Sequence, residues 1–261
     1  MTNTLHMDDI ARYAKCFPTQ RHEFREKLDR CGFVILEPHC AENLMLDDIM
    51  VELGEPVQYQ YGTKLAIEPQ DGTSNLQFST RGMPLHTDAL LNAGPPVSYI
   101  GMKCLTAPAV GGETLVSSSA AFFAHAPHEL LETMRGVVFE YRNRVDGYYK
   151  DRPAGEQHPR EAPIRIDPDT GQETLVIGLS DPDDAMRTHD AVVVGYSDEE
   201  NAHLLRRIDA ALRHPSVLYA HKWQVGQVLI LDNRRVVHGR APFPNQPRKL
   251  IRLSVAGGAD A

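Results

Sequence analysis

Apolar residues in this chain come in short runs bounded by Gly, Pro, Asp and Asn, a spacing that predicts strands more often than helices. The predicted strands are Gly32 to Leu36, Lys64 to Ile67, Leu76 to Ser79, Val97 to Leu105, Thr114 to Ser117 and Val137 to Tyr141. Val217 to Ala220, Val228 to Leu231 and Leu250 to Val255 close the series, and Ile164 to Ile166 with Thr174 to Ile177 reads as a hairpin across Asp167 to Gly171. Helical spacing covers less of the chain. Thr19 to Arg30 carries Phe24 and Leu28 on one side, and Cys40 to Leu53 runs to a stop at Gly54. Ser118 or Ser119 caps a helix through Phe122 and Phe123, and another helix follows Pro127. Asp198 to Arg213 is amphipathic, with Leu204, Leu205, Ile208 and Leu212 forming one stripe. The pattern predicts a mainly β centre with flanking helices. The Pro-rich, charged stretch Asp151 to Pro163 predicts an exposed loop, and a loop of that size serves either as a lid over a site or as a solvated insertion.

Composition narrows the class. A chain of 261 residues fits one large domain spanning 1–261, and 42% hydrophobic residues suffice for an ordinary core. A net charge of −8 argues against a nucleic-acid footprint, while leaving room for a local basic site that takes an acidic small molecule. The four cysteines, Cys16, Cys31, Cys40 and Cys104, form no C-x-x-C pair and read as reduced thiols in a cytoplasmic setting. The first residues show neither a basic nor an apolar leader region, and no run approaches the ~18 apolar residues of a membrane span, so no membrane partner is expected.

Candidate chemistry centres on His86-Thr87-Asp88. The segments on either side of it look like strands; on an extended stretch residues i and i+2 point the same way, so His86 and Asp88 reach one ion while Thr87 faces elsewhere. Neutral imidazole and ionised carboxylate suit Fe(II), and equally Zn(II), Mn(II) or Co(II). A third ligand is available in His238, delivered by Val236-Val237 after the buried run Val228 to Leu231. Its bland alternative is a turn histidine satisfied by a backbone carbonyl. Two imidazoles and one carboxylate on one face of a metal is the arrangement of non-haem Fe(II) oxygenases, with positions left open for a second substrate and O2. Downstream, Arg248 and Arg252 share a strand face roughly 13 Å apart at about 3.3 Å per residue. An inward guanidinium requires an anion and grips a carboxylate with two bonds, whereas two surface arginines on an edge strand would need none. A zinc hydrolase using an activated water and a non-catalytic metabolite-binding barrel are the alternatives from other classes.

Four motifs then occur in one order: Leu-His-Thr-Asp (85–88), Gly-Gly-Glu-Thr-Leu (111–115), Trp223 through Asp232-Asn233 to His238-Gly239-Arg240, and Arg248-x-x-x-Arg252. From about Gly32 to Gly257 the chain resembles the taurine dioxygenase / TfdA-like family of Fe(II)- and 2-oxoglutarate-dependent dioxygenases. The resemblance implies a double-stranded β-helix (jelly-roll) core, Fe(II) held by the catalytic residues His86, Asp88 and His238, and Arg248 and Thr114 on the distal carboxylate of 2-oxoglutarate. It places Arg252 at the substrate's anionic group and a lid at about 142–195. It also implies oxidation of a small carboxylate-bearing metabolite with O2, by hydroxylation, desaturation or a related C–H oxidation, releasing succinate and CO2. The carboxylate of Asp88, where related halogenases have a small residue, argues against halogenation.

Overall fold

The computed structural model describes residues 7, 15–16, 21–38, 45–59, 61–91, 97–144, 158–167 and 170–257. In chain order the elements are β1 (Lys15–Cys16), α1 (Arg21–Cys31), β2 (Phe33–Leu36), α2 (Leu46–Met50), β3 (Glu55–Pro56), β4 (Lys64–Ile67), β5 (Met83–His86), β6 (Tyr99–Thr106) and β7 (Thr114–Ser118). They continue with α3 (Ser119–His125), α4 (His128–Arg135), β8 (Phe139–Asn143), β9 (Arg160–Glu161), β10 (Ile164–Ile166), β11 (Glu173–Leu175), β12 (His189–Val193), α5 (Asp198–Leu212), β13 (Leu218–His221), β14 (Val228–Asp232), β15 (Val236–Arg240) and β16 (Lys249–Ala256).

Two sheets make the jelly-roll core. The larger has the order β1-β2-β14-β6-β16-β3, with β4 also paired to β16; the smaller has the order β13-β7-β15-β5. Side-chain alternation separates three apolar layers. Phe33, Ile35, Leu229 and Leu231 point between the sheets and meet Val116 and Val236 of the smaller sheet. Their neighbours Val34, Leu36, Val228 and Ile230 point the other way, onto Leu28 of α1 and Leu46 and Met50 of α2. The outer face of the smaller sheet, through Leu85, Leu115 and Val237, packs on Phe122, Leu130, Leu204, Ile208 and Leu212 from α3, α4 and α5. Strands buried on both faces carry near-continuous apolar runs, which is why β2 and β14 read so plainly from the sequence. Ser118 caps α3 by accepting from Ala121 N, and Ser197 with Glu200 forms a capping box on α5.

Three differences from the expected elements have physical causes. Leu76–Phe78 is a 3-10 turn, not a strand: Asn75 accepts from Gln77 N, and Ser79 Oγ donates to Leu76 O. Such local side-chain bonds compete with a ladder. Strand β5 hides behind Pro84, tolerated because β5 is the edge of its sheet. The expected helix from Cys40 shortens to α2, its first residues lying outside those described. Much of the Asp151 to Pro163 loop and the turn between β10 and β11 likewise fall partly outside them.

Candidate active site

The same alternation that builds the core aims the polar side chains inward. Val236, Val116 and Leu250 all belong to the layer between the sheets. Two residues along each strand, on the same face, lie His238 (β15), Thr114 (β7) and Arg252 (β16). His86 directly opposes His238 across the β5–β15 ladder, with ring centroids 4.4 Å apart. Gly239 is needed beside them, since a Cβ there would sit 2.6 Å from Met83 O.

Strand β5 ends at His86, yet Asp88 still returns to the same point because Asn233 holds the turn. Asp88 N donates to Asn233 Oδ1 (2.9 Å), while Asn233 Nδ2 donates to the carbonyls of Asp88 (3.2 Å) and Val97 (2.9 Å). Thr87 faces away, its N bonded to Ile177 O and its Oγ1 accepting from Ile177 N. Asp88 Oδ1 is 3.3 Å from His86 Nε2 and 3.9 Å from His238 Nε2, and the three donor atoms lie within 4.8 Å of one another. His86 Nδ1 lies 2.9 Å from Pro84 O; a proton on that nitrogen leaves the Nε2 lone pair facing the carboxylate.

Charge states match a metal's needs. Burial would raise the pKa of Asp88, but the Arg252 guanidinium beside it more than reverses this and holds the carboxyl well below its usual range. Burial, reinforced by the nearby His86 and Arg252, pushes His238 down to about 3, so its imidazole stays neutral. An ionised carboxylate and neutral imidazoles are the forms that bind a divalent ion. A set of two nitrogens and one oxygen, with no thiolate, fits non-haem iron. Arg252 donates to Asp88 Oδ2 and to Ser254 Oγ, leaving Oδ1 to face the imidazoles. The arginine expected at the substrate thus stands against Asp88 of the candidate metal group, while also lining the open space around it.

That space divides into two cavities that share Gln77, Met83, His86 and Arg252. The smaller, about 440 Å³, is lined by Thr114, His238, Arg248, Met102 and Leu250. Arg248 Nε donates to Gly112 O (3.0 Å), and burial pushes its pKa down only to about 10, so it remains cationic. Gly112 has φ +71, and a Cβ there would press on Arg248 Cδ at 3.1 Å, which accounts for the Gly-Gly pair before Thr114. Trp223 Nε1 donates to Thr114 Oγ1 (3.1 Å), leaving the hydroxyl proton to point elsewhere. Arg240, part of the same motif, instead donates to the carbonyls of Leu76, Gln77 and Arg81 and braces the 3-10 turn.

The larger cavity, about 1000 Å³, takes its walls from Leu90, Leu179, Asn143, Arg187, His189 and the stacked pair Tyr59–Tyr61. None of these was a candidate from the sequence. They come from separate loops and strand ends, and no spacing pattern links them.

A jelly roll with this donor set beside an arginine-lined cavity has the form of a non-haem iron oxygenase. The sequence model of the "Taurine catabolism dioxygenase TauD, TfdA family" matches residues 8–254. The chain is 30% identical over 213 residues to a tyrosine isonitrile desaturase of Pseudomonas aeruginosa, covering 78% of this chain and 69% of that one. It is 26% identical to a 3-((Z)-2-isocyanoethenyl)-1H-indole synthase of Fischerella ambigua, over 77% of this chain and 73% of the other. The fold is similar to the crystal structure of PvcB from Pseudomonas aeruginosa, with TM-score 0.70 at 22% identity, covering 88% and 78% of the two chains. The chain belongs to the TauD/TfdA family, and it is an Fe(II)- and 2-oxoglutarate-dependent dioxygenase. Its substrate is a small molecule, oxidised with O2. Among the described residues no helix is long and apolar enough to cross a membrane.

Proposed function

We propose that His86, Asp88 and His238 are the iron ligands, that Arg248 and Thr114 hold the distal carboxylate of 2-oxoglutarate in the smaller cavity, and that the substrate occupies the larger one. The observation that carries this reading is the convergence of the three donor atoms at the wall the two cavities share. Bound iron supplies the oxidising chemistry, with 2-oxoglutarate as the co-reductant of O2. The chain's residues do the rest. Asn233 and Arg252 orient Asp88, Pro84 O fixes the His86 ring, and Trp223 turns the Thr114 hydroxyl. Arg248 offers a fork to a carboxylate in a buried setting where that charge pair is strong.

The substrate on this reading is a small organic acid with an apolar or aromatic body, amino-acid-like, that undergoes desaturation or hydroxylation. Two relatives support it, one named for tyrosine isonitrile and the other for an isocyanoethenyl indole. The apolar side chains and the tyrosine pair of the larger cavity suit such a body. Arg252 lines both cavities, so it can approach the substrate while holding Asp88. Segment 142–195 belongs on this reading to the same single domain and covers the substrate, since its residues Asn143, Leu179, Ser180, Arg187, Thr188 and His189 line the larger cavity. Buried, unpaired Cys31 and Cys104 support a cytoplasmic setting.

Anaerobic titration of the apo-protein with Fe(II) and then 2-oxoglutarate tests the assignment. The expected result is a weak visible metal-to-ligand charge-transfer band that disappears in Asp88→Ala and needs far more 2-oxoglutarate in Arg248→Ala. Metal bound without the band would overturn it.

A further inference from the structure

Besides the tyrosines Tyr59 and Tyr61, five ionisable side chains line the larger cavity: His86, Asp88, Arg187, His189 and Arg252. Asp88 and Arg252 are bonded to each other, and burial lowers the pKa of His189, which keeps it neutral. Arg187 is the cation left over. Its Nε donates to Asp190 Oδ1 (2.5 Å) and its Nη1 to Asp184 O (3.1 Å), and its Nη2 has no partner among the described residues. Neither carboxylate behind it is its own. Asp190 is shared with Arg144 (2.9 Å), and Asp184 spends its carboxylate on Arg81 (3.2 Å). Three guanidiniums therefore face two carboxylates, and the excess positive charge borders the cavity at Arg187. The side chain is only 17% exposed, so that charge meets little bulk water.

The surroundings of Arg187 are polar. Thr188, Ser180 and Asn143 share its wall, with Asn143 paired to His189 across β8 and β12. The wall is also tied to the metal site. His189 Nε2 lies 3.1 Å from Gly178 O, and Gly178 forms a β-bridge with His86. Arg187 precedes His189 by two residues, about 7 Å of extended chain. An anion at Arg187 thus leaves the body of the molecule to run past Leu90 and Leu179 toward His86.

We propose that Arg187 is the anchor for the substrate's carboxylate, gripping it through Nη2 beside Thr188, Ser180 and Asn143, while Arg252 serves mainly to position Asp88. This rests on the larger cavity being the substrate's. It moves the anion site from the arginine expected by motif to one supplied by segment 142–195, and so makes that segment the determinant of substrate class.

The test uses the full chain loaded anaerobically with Fe(II) and 2-oxoglutarate, and two probes of one shape, 3-phenylpropionate and 3-phenylpropionamide. Binding is read as perturbation of the charge-transfer band, whose presence in each variant also reports an intact metal site. Wild type is expected to take the acid at least about tenfold more tightly than the amide, the scale of a charge-assisted bond. Arg187→Gln should bring that ratio close to unity by weakening the acid alone. Arg187→Lys, which keeps a cation beside Asp190, should retain part of the preference and stands in if the glutamine variant does not fold. A wild type without preference for the acid, or an Arg187→Gln that keeps it, overturns the anchor. Absence of the band in wild type overturns the metal-site assignment on which the anchor depends.

Discussion

The two cavities that meet at His86 are made from different parts of the molecule. The smaller is a gap between the sheets, lined from β4, β6, β7, β15 and β16, with Arg248 just before β16. Each of its polar groups is braced, Arg248 by Gly112 O and Thr114 by Trp223. The larger is roofed by loops and by the β8–β12 region, and its lining is mostly apolar, with Arg187 on one wall and Arg252 on the wall shared with the smaller cavity. The contrast is one of construction: sheet strands fix the groups of the smaller cavity, while the larger is walled by segments that tolerate change. The shared wall is where the two sides have to agree, and there Arg252 pairs with an oxygen of Asp88.

The largest effect expected is from Asp88→Ala, which removes the group both cavities depend on. Succinate formation should fall to background with any substrate. The apo-protein should also lose stability on the order of 3–5 kcal/mol, because the largely buried guanidinium of Arg252 loses the carboxylate it is bonded to. Thermal melts of the variant beside Asp88→Ala/Arg252→Leu separate the two losses, since the double variant should recover much of the stability and none of the activity.

Next comes Arg248→Lys, which addresses the smaller cavity alone. A point charge replaces a fork, so the KM for 2-oxoglutarate should rise roughly 10- to 100-fold with little change in the substrate's KM. Equal increases in both would erase the distinction between the cavities. The reciprocal change is Leu90→Ala on the larger side. It should raise the substrate's KM about tenfold through lost apolar contact while the KM for 2-oxoglutarate stays put.

The smallest effect concerns pH. Burial lowers the pKa of His189 from its ordinary value, so below about pH 6.5 the unfolded chain takes a proton that the folded one refuses. This contribution to stability is complete above that pH and declines as the pH falls through the region. Iron-loaded wild type should therefore melt progressively lower from pH 7 to 5, and His189→Gln should show a shallower slope. An unchanged slope would mean that His189 is not held neutral by its place in the wall.

Parts of this candidate site were open to reading from the chain because its residues sit in short, ordered motifs. His86 and Asp88 are two residues apart, His238 comes soon after the apolar run Val228 to Leu231, and Arg248 immediately precedes the last strand. Strand β5 was hidden by Pro84, and the turn at Leu76–Phe78 was mistaken for a strand because its apolar residues are held by Asn75 and Ser79 rather than by a ladder. The convergence of His86 and Asp88 was anticipated on a continuous strand; it arises instead from a turn pinned by Asn233, far away in sequence.

Local pattern by itself determined which faces of the strands are apolar, and with that which polar side chains had to point between the sheets. That follows from the two-residue period of extended chain, which needs no knowledge of partners. Only the tertiary structure decided what those side chains meet. Arg252 bonds Asp88 from 164 positions away, and Arg187 is left with an open nitrogen beside a cavity. Charge pairing depends on distance in space and on which carboxylates are already engaged, and neither quantity is written in the order of residues along the chain.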